Sequence, residues 1–417
     1  MVVGAHVCGT EGDVSDDDAG APFGGGGDKG GPTSGAGASA IGDGLRRRRR
    51  RRRLGRSGIV VAVLAVGAVG VGWAVYAKLD GNITSDEAAA AELARYEKER
   101  PTSLVRGAQN VLLIGSDSRS GDGNERYGRD DGTERSDTTI LLHLASGRDS
   151  ATAVSLPRDL MVDVPDCRRP DGSRTEPVLA QFNYAYEVGG SACSIRTVEK
   201  LTGVRIDHHV VVDFQGFKEL VDALDGVEVC LRKPVDDKDA KLKLPAGRVT
   251  LDGEQALGYV RARKSLGDGS DTDRMDRQQR FLGALVNKVQ SNDVLLNPVK
   301  LYPVLDAATS SLTTDPDLAS LRGLYDLVRG MRGIPTERVQ FLTVPRESYA
   351  GDPNRDQLVE PDAEKLFTRL RTDEPVAIAA AAEPDTSAGS GNPREPGDGD
   401  SPAPTFSGNT AAEDVCE

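Results

Sequence analysis

Acidic and arginine side chains stand just beyond the ends of three predicted strands. Each strand is a largely apolar run, which is typical of strands buried in a sheet; the runs are 109–115, 138–145 and 152–156. The charged residues beside them are Asp117, Arg119, Arg135, Asp137 and Arg158. Because ligands of open α/β sheets bind beyond the strand ends, we expect these side chains to meet if the strands are neighbours. Carboxylates suit Mg²⁺ and guanidinium groups suit phosphoryl oxygens. The pattern therefore predicts a phosphate site with Mg²⁺, or alternatively Mn²⁺.

A second group of basic residues lies between positions 261 and 280. The residues in this group that could contact a phosphate are Arg261, Arg263, Arg274 and Gln278, and the acid among them is Asp271. On a helix, Arg274, Arg277 and Gln278 share one face through their i, i+3 and i+4 spacing. A single arginine is most often a solvated surface charge. Several arginine groups beside acids favour a phosphate-binding site instead.

Common hydrolase and kinase motifs are missing from the sequence. It contains no GxSxG elbow, no P-loop and no HExxH pair. Of the four histidines, His143 lies within a predicted strand and His208 and His209 open another, where structural roles predominate. The net charge of −13 disfavours nucleic acid as a partner, because an acidic surface repels phosphates. Serine hydrolases, zinc hydrolases and nucleotide-driven kinases are therefore poorly supported.

Strands alternate with helices between residues 106 and 378. Further predicted strands cover 208–214 and 338–344, and predicted helices cover 194–202, 216–226, 251–263, 275–291 and 361–371. This alternation indicates an α/β fold with a central mixed β-sheet flanked by helices on both faces. We expect one catalytic domain over 106–378.

A membrane anchor is predicted ahead of this domain. The uncharged run 58–77 is long enough to span a bilayer, and eight arginines, Arg46 to Arg53, precede it. The arginine run alone could be a nucleic-acid or nuclear-localisation patch, and the apolar run could be a cleaved signal peptide. Together they favour a single-pass helix in the cell membrane with a cytoplasmic N-terminus.

The remaining segments follow from composition. Residues 1–57 and 379–417 are rich in small and polar residues and are expected to be disordered. Residues 78–105 are expected to form a helical stalk, and the catalytic domain lies outside the membrane.

Cysteines in an external domain can form disulfides. Cys167 and Cys193 bracket a loop rich in Pro, Arg and Gly, and a bridge between them is favoured. The alternative is that these two and Cys230 are all small buried apolar residues. Cys230 is expected to remain a free thiol, and Cys416 falls in the predicted disordered tail. No cysteine or histidine spacing indicates a zinc site.

Seven motifs in order carry a resemblance to a known family. They are NVLLIGSDSR, RSDTTILLHL, SLPRDL, FNYAYEVGG, TGVRIDHHVVVDFQGFKELVDALDGVEV, LDGEQALGYVRAR and SDTDRMDRQQR. By these motifs the chain resembles the LytR–CpsA–Psr family from about 109 to 290, with a weaker continuation to about 375. The Cys167 and Cys193 pair and the segment VCLRKPVDD are similar to its actinobacterial branch.

The resemblance implies a membrane-anchored phosphotransferase of cell wall biogenesis. Such enzymes move a glycopolymer from a polyprenyl-pyrophosphate carrier onto peptidoglycan through a phosphodiester. By motif, Asp117 and Asp137 take the Mg²⁺ positions, and Asp117, Arg158 and Asp271 are expected to be catalytic, with Asp117 as the base. The implied pyrophosphate-binding residues are Arg119, Arg135, Arg158, Arg261, Arg263, Arg274 and Gln278.

The chain departs from the family pattern at two positions. Ser270 replaces a glycine before Asp271, and Gln181 replaces the lysine that many relatives carry before Phe182. The second change replaces a positive charge that the resemblance implies at the phosphate with a neutral amide.

Two alternatives stay open beside the transferase. A prenyl-pyrophosphate hydrolase could use the same Mg²⁺ and arginines with water as acceptor. A non-catalytic transcription attenuator would need a cytoplasmic DNA-binding unit, for which residues 1–57 are short and glycine-rich. The transferred polymer could be a teichoic acid, an arabinogalactan, a capsule or another anionic glycan.

Overall fold

A computed structural model describes most of the chain. The described residues are 62–117, 136–238, 240–262, 271–291, 297–379, 405–413 and 416. The chain divides into two units, 1–69 and 70–417. The second unit holds the sheet and the helices that cover it.

The strands and helices are labelled in chain order. The strands are β1 (Thr84–Ser85), β2 (Gln109–Ser116), β3 (Ser136–Leu144), β4 (Ala151–Leu156), β5 (Met161–Val164), β6 (Val178–Gln181), β7 (His208–Asp213), β8 (Val227–Leu231), β9 (Val235–Asp237), β10 (Leu242–Leu244), β11 (Gly247–Leu251), β12 (Leu312–Thr314), β13 (Val339–Thr343), β14 (Arg346–Tyr349), β15 (Asp352–Leu358), β16 (Ala377–Ala379) and β17 (Thr405–Thr410). The helices are α1 (Ala62–Asn82), α2 (Glu87–Arg95), α3 (Phe182–Thr202), α4 (Phe214–Ala223), α5 (Gly253–Arg261), α6 (Asp271–Gln290), α7 (Pro298–Ser311), α8 (Leu321–Arg332) and α9 (Asp362–Thr372).

A nine-stranded mixed sheet forms the centre of the second unit. Its strand order is β1-β12-β7-β2-β3-β4-β13-β17-β16. The pairs β2–β3 and β3–β4 are antiparallel, whereas β2–β7 and β4–β13 are parallel. The predicted mixed sheet is confirmed.

Helices cover both faces of this sheet. Successive side chains of a strand point to opposite faces, and β3 shows the effect. Leu141 is buried in a core that includes residues of α3 and α9. Ile140 and Leu144 are buried on the other face, where residues of α6 and α8 pack. Burial on both faces explains why the central strands are continuous apolar runs rather than alternating ones.

Among the described residues, one helix is long and apolar enough to cross a membrane, α1, with 21 residues. The prediction placed this span at 58–77; residues 58–61 lie outside the described part of the chain, and the helix continues to Asn82. Its last turn is bonded to α7. Lys78 Nζ and Asn82 Nδ2 each donate to the Asp306 carboxylate at 2.9 Å, and Leu79 is buried.

The predicted stalk is wrong for the residues that follow α1. Strand β1 pairs with β12 at the edge of the sheet, and Ala89 and Leu93 of α2 are buried in the same core as α3. The segment's Ala, Glu and Arg content suggested an exposed helix. Its alanine and leucine side chains form an apolar face that packs on the domain.

The predicted disordered tail is wrong for 405–413 and for Cys416. Strand β17 pairs antiparallel with β13, from Gln340 opposite Thr410 to Leu342 opposite Gly408. Cys416 is bonded to Cys230, with 5.7 Å between their Cα atoms, so Cys230 is not a free thiol. The sheet supplies this strand's stability through backbone hydrogen bonds, which composition does not reveal. Residues 380–404 lie outside the described part.

The second disulfide joins Cys167 to Cys193, the pair that the sequence favours. Their Cα atoms are 5.6 Å apart. Helix α3 is interrupted at Gly189 and Gly190, where the dihedral angles are not helical. A Cβ on Gly189 would lie 2.7 Å from the Cβ of Cys193. Glycine is therefore needed for the helix to pass this close to the disulfide.

Asp86 fixes the start of α2 to the sheet and is expected to make stability depend on pH. Its carboxylate accepts hydrogen bonds from Ala89 N at 3.0 Å, from His209 Nε2 at 3.2 Å and from Ser191. Burial alone would raise the pKa of Asp86, but these hydrogen bonds lower it to about 2. A depressed folded-state pKa contributes stability above the unfolded value of 3.8, and that contribution disappears as pH falls towards 2.

Asp86→Asn should therefore lower the unfolding free energy by about 2 kcal/mol at pH 7. The difference from the unaltered protein should shrink as the pH falls from about 4 to 2. Urea unfolding across this range measures it, with Asp326→Asn, whose side chain is 62% exposed, as the matched control. A difference that is constant with pH would contradict the assignment.

Candidate active site

One edge of the sheet collects the strand ends that the sequence marks for chemistry. Ser116 at the end of β2 pairs with Ser136 at the start of β3 and with Asp213 at the end of β7. Strand β4 runs antiparallel to β3 and ends at the same edge. Asp117, Asp137 and Arg158 each lie within two residues of these ends. The strands that the sequence predicts to be neighbours therefore do bring these residues to one edge of the sheet.

Arg158 lies between two carboxylates at this edge. Its Nη1 donates to Asp137 Oδ1 at 2.9 Å and its Nε donates to Asp159 Oδ2 at 3.2 Å. The backbone is held as well, because Asn183 N donates to the Arg158 carbonyl at 3.1 Å. The side chain remains 24% exposed. A guanidinium that is held between carboxylates and is partly exposed to solvent suits the binding of an anion.

Gln181 has a partner that sequence reasoning missed. Its Nε2 donates to Asp159 Oδ1 at 2.6 Å, and Asp159 also binds Arg158. The signal was the acid that directly follows Arg158 in the SLPRD motif. A neutral amide here satisfies Asp159 without adding the positive charge that a lysine would bring.

Arg261 reaches the same edge through α4. Its guanidinium carbon lies 4.5 Å from the centre of the Phe214 ring, a cation–π distance. Phe214 directly follows Asp213, whose Oδ1 accepts from Gly216 N at 2.7 Å and caps α4. Helix α5, which ends at Arg261, begins with a capping box of Asp252 and Gln255. The N-terminus of α4, which presents Phe214, is thus capped directly, whereas α5 is capped at the end opposite Arg261.

Helix α6 packs its arginine face against the end of α5. Gln278 Nε2 donates to the Val260 carbonyl at 3.3 Å and Arg277 donates to the Ala262 carbonyl. Arg274 lies one turn earlier and is 6% exposed. The predicted shared face therefore exists, and Gln278 and Arg277 use it to hold the two helices together.

Several predicted residues lie outside the described part of the chain. They are Arg119, Arg135 and Arg263. Asp271 is the first residue of α6, and its side chain is likewise not among the described ones.

The described carboxylates at this edge fit the chemistry of a hard cation. Asp117 follows β2 and Asp137 is the second residue of β3. Among the described residues there is no group of three or more His, Cys, Asp or Glu side chains arranged to hold a metal ion. Mg²⁺ does not require one, because it usually keeps several waters and binds one or two protein carboxylates plus substrate phosphates.

A large polar groove, which the sequence did not predict, begins beside this edge. It has a volume of about 1350 Å³ and lies between α6, the β14–β15 hairpin, α9 and β17. Gln279 of α6 lines it and donates to Ser155 Oγ and Thr343 Oγ1 at 3.1 and 3.0 Å. Burial raises the pKa of Asp276 in this groove and the charge of Asp273 adds to the rise, while nearby arginines oppose it.

The histidines have structural partners. His143 bonds to Asn110 and Asp373 at 2.8 and 3.0 Å, and burial lowers its pKa. Burial alone would also lower the pKa of His208, but the hydrogen bond to Asp315 raises it. His208 opens β7, at the opposite end of that strand from Asp213.

Comparison with known proteins gives consistent relatives. The LytR–CpsA–Psr family model matches residues 76–372. The cell wall biosynthesis protein LcpA of Corynebacterium glutamicum is 33% identical over 70% of this chain and 59% of LcpA. LcpB of the same organism, named as a probable cell wall biosynthesis protein, is 35% identical over 79% of this chain and 75% of LcpB. The chain thus spans about three fifths of LcpA and three quarters of LcpB.

Another relative carries a name that states a reaction. The polyisoprenyl-teichoic acid–peptidoglycan teichoic acid transferase TagU of Enterococcus faecalis is 33% identical over 61% of this chain and 76% of TagU. The crystal structure of B. subtilis TagV superposes with a TM-score of 0.51 at 23% identity, covering 65% of this chain and 98% of TagV. This last similarity supports the fold.

Proposed function

The chain belongs to the LytR–CpsA–Psr family, and from that membership we propose that it is a membrane-anchored phosphotransferase. It moves a glycopolymer from a polyprenyl-pyrophosphate carrier onto peptidoglycan and leaves a phosphodiester. The observation that carries this proposal is Arg158, held between Asp137 and Asp159 at the edge where Asp117 also lies. A fixed, partly exposed guanidinium beside carboxylates suits a reaction at phosphorus.

The proposed reaction exchanges one oxygen on phosphorus for another. A sugar hydroxyl of peptidoglycan attacks the phosphorus that carries the polymer, and a new P–O bond forms. The bond from that phosphorus to the bridging oxygen breaks, so prenyl phosphate leaves. The hydroxyl proton passes to a carboxylate, for which Asp117 is the proposed base. The pyrophosphate link supplies the driving force, so no nucleotide is consumed.

The basic side chains neutralise charge in this reaction. Negative charge on the phosphoryl oxygens must be balanced as the P–O bonds exchange, and fixed donors do this without reorganisation. Arg158 contributes from the strand edge, while Arg261 and Arg274 contribute from α5 and α6. Asp137 and Asp159 keep Arg158 in position.

A divalent cation would complete the charge balance. Asp117 and Asp137 would hold Mg²⁺, or Mn²⁺, which when bound supplies positive charge to the phosphate oxygens. Both carboxylates lie at the strand edge beside Arg158, which supports the assignment.

The anchor suits a lipid-linked donor. Helix α1 can cross a membrane, and the proposed substrate resides in the same membrane. The arginine run before it favours a cytoplasmic N-terminus and a domain on the outer side. That side is where peptidoglycan lies.

The test uses the whole chain in lipid nanodiscs with Mg²⁺. It is given a short prenyl-pyrophosphate-linked saccharide and soluble peptidoglycan fragments, and products are read by mass spectrometry. We expect a phosphodiester-linked product and prenyl phosphate. Sugar phosphate formed equally with and without fragments would favour the hydrolase, and donor binding without turnover would favour a receptor.

A further inference from the structure

We propose that the polar groove between α6, β14, α9 and β17 binds the acceptor glycan, a strand of peptidoglycan. This inference rests on the proposed function and names where its second substrate lies. The groove is distinct from the Arg158 edge but adjoins it, as two contacts show.

The groove and the edge share structural residues. Gln279 lines the groove and bonds to Ser155, three residues before Arg158. Asp356 lines it and its backbone N donates to the Asp159 carbonyl at 3.1 Å. Arg346 lines it and binds both Asp356 and Thr272. A chain lying in the groove would therefore have one end beside the phosphoryl group.

The size of the groove suits a segment of polymer. Its volume of about 1350 Å³ exceeds the ~300–1,000 Å³ usual for a small-molecule pocket. It is partly open to solvent rather than fully enclosed. A segment of a longer polymer can therefore lie in it while the rest of the polymer stays in solvent.

The lining suits hydroxyl and charged groups rather than a prenyl chain. Of the described lining residues, the large apolar side chains are Val344 and Phe406, and Phe406 is 5% exposed. Strand β17 presents hydroxyl and amide side chains, Thr405, Ser407 and Asn409. Sugar hydroxyls bind such groups. The cationic and carboxylate side chains of the lining can bind the oppositely charged groups of peptide stems.

One wall of the groove is held firmly in place. Gly408 lies so close to β13 that a Cβ would be 2.5 Å from the Phe341 carbonyl oxygen. Ala411 N donates to the Val339 carbonyl at 2.9 Å, and Asn287 Nδ2 donates to the Ala411 carbonyl at 2.6 Å. The Cys230–Cys416 disulfide lies just beyond. A preformed wall lowers the entropy that a bound polymer must lose.

The test fills the groove without touching the Arg158 edge. Ser407 is exposed on β17 and lines the groove, so Ser407→Trp obstructs it while leaving the core intact. Arg280→Ala removes an exposed lining charge. Ser103→Trp, at an exposed serine outside the lining, is the matched control. Thermal unfolding checks that all three variants fold.

Binding and transfer are measured separately in nanodiscs. Soluble peptidoglycan fragments are titrated by calorimetry, and the KM values for fragments and for the prenyl-linked saccharide are determined. We expect Ser407→Trp and Arg280→Ala to weaken fragment binding and raise the fragment KM about tenfold, the equivalent of one or two hydrogen bonds. The donor KM and the control should stay unchanged.

The outcomes separate this inference from the proposed function. A raised donor KM with unchanged fragment binding would assign the groove to the donor's glycan and overturn the inference. Unchanged values in both groove variants would also overturn it. If Ser407→Trp weakens fragment binding but the unaltered protein shows no transfer, the groove remains a glycan site and the proposed transferase activity is wrong.

Discussion

Arg158→Ala is expected to lower the rate of glycopolymer transfer by at least about 10²-fold, because removing one preorganised donor to a developing oxyanion costs that much. Arg158→Lys should recover only part of the rate. Lysine brings the charge but not the planar fork that spans Asp137 at 2.9 Å and Asp159 at 3.2 Å. The effect should fall on kcat rather than on the KM for peptidoglycan.

Transfer assays with the whole chain, read by mass spectrometry, measure this effect. Arg322→Ala, at an arginine whose side chain is 86% exposed on α8, is the matched control and should be silent. The unfolding free energy of Arg158→Ala should change by no more than about 1 kcal/mol, since a partly exposed ion pair contributes little. If the Arg158→Ala variant folds and still transfers at the normal rate, Arg158 has no role in the reaction.

Cys416→Ser is expected to lower the unfolding free energy by about 3–5 kcal/mol. The bond to Cys230 joins residues 186 apart in sequence, and the restriction that a cross-link places on the unfolded chain grows with loop length. The variant also loses the bond that secures β17 beside the groove. Its melting temperature should fall by roughly 10 °C for a domain of this size.

Calorimetry under non-reducing conditions measures the shift. Cys230→Ser and the double variant should match Cys416→Ser, because all three break the same bond. Cys8→Ser is the matched control and should not differ from the unaltered protein. Equal melting of Cys416→Ser and the control would mean that this disulfide does not stabilise the fold.

The central strands were predictable because they are buried on both faces. The runs that become β2, β3 and β4 are apolar enough to identify locally, and turn residues mark their ends. Placing Asp137 beside Arg158 needed only the inference that these strands are neighbours. Position within the motif then indicated which charged residues to propose for the site.

The edges of the sheet could not be predicted in the same way. Strand β1 has two residues and β17 reads TFSGNT, and neither has a local pattern. Their stability comes from pairing with β12 and β13, partners that are distant in sequence. Helix α3 was predicted only over 194–202, because Gly189 and Gly190 hide its first half. The bond between Gln181 and Asp159 depends on how β6 pairs with β5, which no local pattern encodes.

The position of β17 in the chain has a consequence for biosynthesis. Every other described strand and helix precedes it, so a growing chain presents β13 with one unpaired edge until residues 405–410 arrive. Exposed strand edges are the usual starting point for aggregation. The Cys230–Cys416 bond can close only after this last strand and Cys416 behind it have been made. Its formation therefore marks the mature molecule, and a non-reducing gel of newly made chains would separate finished proteins from unfinished ones.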